Sequence, residues 1–237
     1  MKRWLALALL ALGANNAAAD TAVPVYTATY RVEYKGKEAG SSEFSVREVE
    51  PGVYEFTSRT MAKGLLKLAR PNPAIDRSRF RIEQGAIRPL EFWYEDGSRS
   101  GEDNAHIVFD WPRQIAVVST EAGRREMALP AAALDRGSVQ VALMRDLSAA
   151  RMLGPYEIAD DDSVTRYDYT DGGPATTKTR AGSHETRLIT QQRVGSSRTT
   201  LLWVAPALHY LPVRIEQRRN GEVNTAFELV RVEGLTP

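Results

Sequence analysis

Residues Thr199–Val230, TTLLWVAPALHYLPVRIEQRRNGEVNTAFELV, decide the fold class. Leu201, Leu202, Trp203 and Val204 make a short apolar strand, and Pro206 sits in the turn after it. Leu211 and Pro212 lead into Val213 and Ile215, which alternate with Arg214 and Glu216 in the period-two pattern of a half-buried strand. Asn220-Gly221 supplies two residues that accept positive φ, as a tight hairpin turn requires, and Phe227 and Leu229 return on one face. These read as the closing strands of an antiparallel sheet.

The same rhythm runs through the earlier chain. Tyr26, Ala28, Tyr30, Val32 and Tyr34 share one face of a strand that turns at Lys35-Gly36-Lys37. That tyrosine face suits core packing, and it equally suits a cavity wall with an apolar body and a hydroxyl rim. Strands follow over Glu38 to Glu48 and, after Pro51-Gly52, over Val53 to Thr60. Gly36 and Gly40 flank the first hairpin, where a glycine within a strand signals a bulge or sharp curvature. Further strands are expected at Ile75 to Ile82, Ile87 to Glu95, His106 to Trp111, Gln114 to Ser119 and Arg124 to Leu129.

Two stretches break the period. Met61 to Ala69, with Met61, Leu65 and Leu66 as apolar members and Gly64 as an interruption, reads either as a lid over a cavity or as a loop on the sheet rim. Asp135 to Leu153 is the main helix, with Asp135 or Ser138 as cap and Gly154-Pro155 as stop. Val139, Leu143, Leu147 and Ala150 form its apolar stripe, widened by Met144, while Gln140, Arg145, Asp146 and Arg151 are free to face water. Beyond it, Tyr156 to Tyr169 is strand-like around the acidic turn Asp160-Asp161-Asp162, Thr170 to Gly173 reads as a loop, and Thr176 to Val194 is too polar to place.

At the N-terminus, Lys2 and Arg3 precede an apolar run from Trp4 to Leu12 and the small-residue site Ala17-Ala18-Ala19. This is the pattern of a secretory signal peptide, residues 1–19, cleaved after Ala19. The run is shorter than the ~20 residues that span a bilayer. The expected mature unit, residues 20–237, is one β domain with the embedded helix 135–153, located in the periplasm and not membrane-spanning. Loss of Lys2 and Arg3 leaves 29 basic against 30 acidic side chains, which gives no electrostatic case for nucleic acid. Cysteine is absent, which excludes thiol chemistry and leaves apolar burial to hold the fold.

No catalytic pattern emerges. His106, His184 and His209 lack zinc-helix spacing. Gly97-Ser98-Arg99-Ser100-Gly101 places Arg99 where a nucleophile elbow needs serine. Asp160-Asp161-Asp162 misses the register of a calcium loop. No cofactor, metal or catalytic residue is therefore expected.

Three segments carry a resemblance: YTATYRVEYKGKEAG at the start of the mature chain, DRGSVQVALMRD from Asp135, and LWVAPALHYLPVRIE near the end. With the signal peptide, they resemble the bacterial exported proteins of the DUF3108 family over nearly the whole mature chain. The last segment is also similar, over some thirty-five residues, to a strand of the periplasmic lipoprotein carriers and outer-membrane lipoprotein receptors. That second resemblance implies an open antiparallel barrel closed by helices around an acyl-chain cavity. Carried over, it makes Tyr26, Tyr30, Phe92, Phe109, Trp203 and Ile215 candidate cavity residues.

The expected fold is thus mainly β, a strongly curved antiparallel sheet or incomplete β-barrel with one main helix packed on its open side. The expected role is non-catalytic binding or carriage of an apolar or amphipathic, lipid-like ligand of the cell envelope. The alternatives are an envelope scaffold with a solid core that binds a protein partner, and an envelope hydrolase without a recognisable motif.

Overall fold

In the computed structural model, which describes residues 23–235, Tyr26, Ala28, Tyr30 and Val32 of β1 (Tyr26–Tyr34) turn inward and are buried. Period-two alternation places every second side chain of a strand on one face, and here that face meets the core. Tyr34, at the hairpin end of the same face, is exposed, with the Lys35 ammonium 5.5 Å from its ring centre. The expected signal peptide lies outside the described residues.

From β1 the chain winds outward through β2 (Lys37–Glu50), β3 (Val53–Ala62), β4 (Ala74–Glu83), β5 (Ala86–Glu95), β6 (Ala105–Asp110), β7 (Ile115–Thr120) and β8 (Gly123–Ala128). A short helix, α1 (Leu66–Ala69), sits between β3 and β4, and the main helix α2 (Ser138–Ser148) follows β8. The chain then starts again at the far edge with β9 (Tyr156–Ala159) and winds back through β10 (Val164–Thr179), β11 (Gly182–Gln192), β12 (Arg198–Ala205), β13 (Leu211–Arg219) and β14 (Glu222–Glu233).

All fourteen strands form one antiparallel sheet, and β14 pairs with β1. The last strands therefore occupy the middle of the sheet, and its edges are β8 and β9. The sheet is not closed into a barrel, but it curls until its two ends meet the same connecting segment. Leu129 N–H donates to Gln114 of the β7 end at 2.8 Å, and Leu134 exchanges hydrogen bonds with Glu157 and Ala159 of β9 at 2.8 and 2.7 Å. Ala159 packs in one apolar cluster with Phe92, Ile107, Phe109, Ala116 and Val118. Register shifts help the bend, for they tighten local twist. One falls at Trp203/Val204 and leaves Val204 opposite Pro212, a place where a strand accepts a residue without an N–H.

α2 runs inside this curl. Val139, Val141, Ala142, Leu143, Met144, Arg145 and Leu147 are all buried, so the helix is covered on nearly every side and not along one stripe. Arg145, expected in water, instead lies buried, with Nη1 donating to the Gly85 carbonyl at 3.3 Å. The helix is also shorter than the expected 135–153. At its start the Asp135 carboxylate accepts N–H groups of Gly137 and Ser138, each at 2.8 Å, and the Ser78 hydroxyl at 2.7 Å, which holds a turn ahead of the first helical residue. At its end Ala150 takes φ +51°, a left-handed stop before Gly154 is reached.

The core proper joins α2 to both halves of the sheet. Tyr30, fully buried, donates its hydroxyl to the Pro212 carbonyl at 2.8 Å, tying β1 to β13 across the interior. Tyr30→Phe is expected to lower stability by about 1 kcal/mol, because a buried acceptor is left unpaired. Urea unfolding would read it, and an unchanged midpoint would show that the bond adds nothing net.

Candidate functional site

Where the curl is not filled by α2, a cavity of about 800 Å³ remains between the start of that helix and the two halves of the sheet. Its floor is apolar. Phe44 of β2 lies between Phe56 of β3 and Phe227 of β14, each pair of ring centres 5.9 Å apart. Val139 of α2, Ile158 of β9, Leu202 of β12 and Ile215 of β13 complete it. The phenylalanines meet because register sets them side by side. Phe44 stands next to Ser58 on β3, two residues from Phe56, and Phe227 stands opposite Ile215.

Above the floor the wall turns polar, with Ser58 and Thr60 of β3, Gln140 of α2, Gln191 of β11, Thr200 of β12 and Gln217 of β13. The mouth is charged with both signs: Asp160, Asp161 and Asp162 line it, and so do Arg193, Arg198, Arg218 and Arg219. The lining is thus amphipathic, where an apolar pocket walled by large aromatics was expected.

One ion cluster ties the two halves of the sheet together at this wall. The Arg136 guanidinium reaches Asp76 of β4 at 3.1 Å and Asp160, just past β9, at 3.5 Å. It also lies over the rings of Tyr94 and Phe92, 4.3 and 5.1 Å from their centres. Burial raises the Asp76 carboxyl above its ordinary range, against the opposing pull of Arg136 and with a further push from Asp160. Burial raises Asp160 too. One cation shared by two carboxylates only partly offsets the cost of burying them.

The six residues expected to line a cavity are scattered. Ile215 lines it. Tyr26 and Tyr30 are buried in the main core, Tyr30 with its ring centre 4.7 Å from that of Phe44, and burial raises both phenols well above their ordinary range. Phe92 and Phe109 belong to the second apolar cluster, between β5–β7 and β9. Trp203 is on the opposite face of β12 from Leu202 and half-buried, with the Arg214 guanidinium 5.9 Å from its ring centre.

Of the expected lid, Met61 is the penultimate residue of β3 and pairs with Ser41, while Leu65 and Leu66 stand exposed around α1. None of the three lines the cavity. His106 stacks on Trp93 at 5.0 Å, and no histidine is among the lining residues. Among the described residues no group of three His, Asp or Glu side chains is placed to hold a metal ion.

The arginines, the acidic turn and Phe44, Phe56 and Phe227 were missed as a site. Each is visible in the sequence as a residue of one strand face, but only pairings between distant strands bring them to one hollow.

A profile of the protein family of unknown function DUF3108 matches residues 29–227. The chain belongs to the DUF3108 family. No curated protein sequence matches it. Among solved structures, the β-barrel-like DUF1849 protein of Brucella abortus superposes with a TM-score of 0.53 at 8% identity, covering 90% of this chain and 98% of that one. An exported protein of Bacteroides fragilis with a YmcC-like fold gives 0.40 at 12% identity, with 88% and 95% covered. Pseudomonas aeruginosa MucB in complex with MucA gives 0.37 at 11% identity, with 92% and 54% covered. The first likeness is one of fold, a DUF3108 chain sharing the barrel-like curl of the Brucella protein. Among the described residues no helix is long and apolar enough to cross a membrane.

Proposed function

We propose that this DUF3108 protein is a non-catalytic binding or carrier protein of the periplasm, and that its cavity holds an amphipathic, lipid-like ligand of the cell envelope. The observation that carries the reading is the hollow itself. About 800 Å³ of space with an aromatic and aliphatic floor lies in a sheet whose remaining interior is filled by a helix, and this volume is within the range of small-molecule sites. Each methylene seated on the floor contributes about 0.8 kcal/mol. The hydroxyl and amide wall offers partners to a polar linkage. The signal-peptide pattern at residues 1–19 supports export.

Native mass spectrometry of the protein purified from its own periplasm, followed by solvent extraction, tests this directly. The expected result is an adduct of one amphiphile per chain. A clean apo mass that also takes up no added amphiphile would favour the scaffold reading, in which the curl serves a protein partner.

Thr200→Trp gives a second check. Thr200 is a half-exposed wall residue, so an indole there projects into the hollow without crowding the core. Amphiphile binding should weaken at least tenfold, while stability stays within about 0.5 kcal/mol.

A further inference from the structure

Pairing between β11, β12 and β13 arranges the cavity-facing residues in rungs. Leu202 stands between Ile189 and Ile215. Two residues along, Thr200 stands between Gln191 and Gln217. Two further, Arg198 stands opposite Arg219, and Arg193 follows directly on the end of β11. The wall therefore runs from aliphatic through neutral polar to cationic. At about 3.4 Å per residue, the cationic rung lies about 14 Å from the aliphatic one.

The top rung is built at a cost. Like charges directly opposite on paired strands destabilise a sheet, and among the described residues Arg193, Arg198 and Arg219 have no carboxylate within ion-pair distance. Their neighbour Arg218 differs, for it is held on Glu216 at 2.6 Å. Of the acidic residues lining the cavity, Asp76 and Asp160 already share Arg136, and burial favours their neutral forms. Among the described residues Asp161 and Asp162 also lack an ion-pair partner, but three unpaired arginines outnumber these two carboxylates, so the excess charge at the mouth is positive.

Resting on the binding reading above, we propose that the ligand is an anionic amphiphile. Its hydrocarbon chain lies on the phenylalanine floor, and its carboxylate or phosphate sits among Arg193, Arg198 and Arg219. A guanidinium presents forked donors that suit either group, and charge-assisted bonds of this kind are the strong ones.

The test is isothermal titration of the full mature protein with amphiphiles of one chain length, all below their micellar concentrations. Dodecyl phosphate and dodecanoate are expected to bind at least tenfold more tightly than dodecylphosphocholine or dodecyl maltoside, with an advantage that shrinks as salt rises. The double variant Arg198→Ala/Arg219→Ala should erase that advantage and leave maltoside binding unchanged. Arg193→Ala, beyond the strand end, should repeat the loss in smaller measure. Arg124→Ala/Arg125→Ala, which removes two exposed charges from β8, should change nothing.

Phosphocholine binding as tight as phosphate would overturn the proposal, for a zwitterion would then be using Asp161 and Asp162 as well. Retention of the preference in the double variant, or inorganic phosphate binding as tightly as dodecyl phosphate, would overturn it too. Chain binding without any charge preference would sink the headgroup assignment alone. No binding by any amphiphile would take the cavity reading down with it.

Discussion

Gly40→Ala is expected to cost at least ~3 kcal/mol, the upper end of what overpacking does, and to leave the first hairpins unpaired. A Cβ at position 40 would lie 2.0 Å from the Met61 carbonyl oxygen and 3.0 Å from its carbon. Both atoms are backbone of β3, held in the ladder that pairs Gly40 with Ala62 and Ser41 with Met61. No rotamer change relieves such a clash, so the strands must separate. On its other side Gly40 faces Val32 beside the register shift of β1 and β2, where the sheet bends. Gly36 supplies the contrast. It takes φ +73° with open space around a would-be Cβ, so Gly36→Ala meets only backbone strain of about 1 kcal/mol. Urea unfolding of both variants separates the two cases, and a Gly40→Ala unfolding free energy within about 1 kcal/mol of that of Gly36→Ala would show that the bend relaxes freely.

That contrast marks what the sequence reveals. Gly36 and Gly40 are both readable as signs of a turn and a bend, but only the fold shows that one needs conformational freedom and the other needs empty space. Strand existence was legible wherever apolar and polar residues alternate, as in Tyr26–Tyr34 and Leu211–Arg219. It failed for β10 beyond Tyr169 and for β11, where threonines replace the aliphatics. Thr177 and Thr186 are buried there with their hydroxyls 3.0 Å apart, so β-branched shape and a hydrogen bond do what alternation does elsewhere. Thr170 to Gly173, read as a loop, lies inside one long strand whose register shifts between Asp171 and Pro174.

The site was legible only in kind. Parity gives the face of a side chain but not what stands over it. Tyr26 and Tyr30 do point inward, yet both are buried in the main core and neither lines the hollow. The hollow opens where the helix begins, over Phe44 and Phe56. The central pairing of β1 with β14 joins residues some two hundred positions apart, and no local pattern encodes it.

Asp135 should make the protein lose stability as pH rises between about 4 and 6. Its carboxyl is fully buried, and burial pushes it from an ordinary 3.8 up to about 6, even though Ser138 and Gly137 N–H groups and the Ser78 hydroxyl favour the charged form. An acid whose pKa is raised on folding binds its proton more tightly in the native state. Its contribution is therefore complete below the unfolded value and is lost as pH climbs through the folded one, by about 3 kcal/mol for a rise of this size.

Asp135→Asn removes the titration while its side-chain oxygen can still accept the Gly137 and Ser138 N–H groups. The difference between wild-type and variant stability should then slope between pH 4 and pH 6 and be flat above pH 7, since every other titrating group is common to both. Asp135→Ala should instead lower stability by about 3 kcal/mol or more across the whole range, because three buried donors lose their acceptor together. The turn that aims Arg136 at Asp76 and Asp160 starts at this residue, so Asp135→Ala should also loosen the wall of the cavity and weaken amphiphile binding. A pH-independent difference between wild type and Asp135→Asn would show that the three hydrogen bonds, and not burial, set this carboxyl.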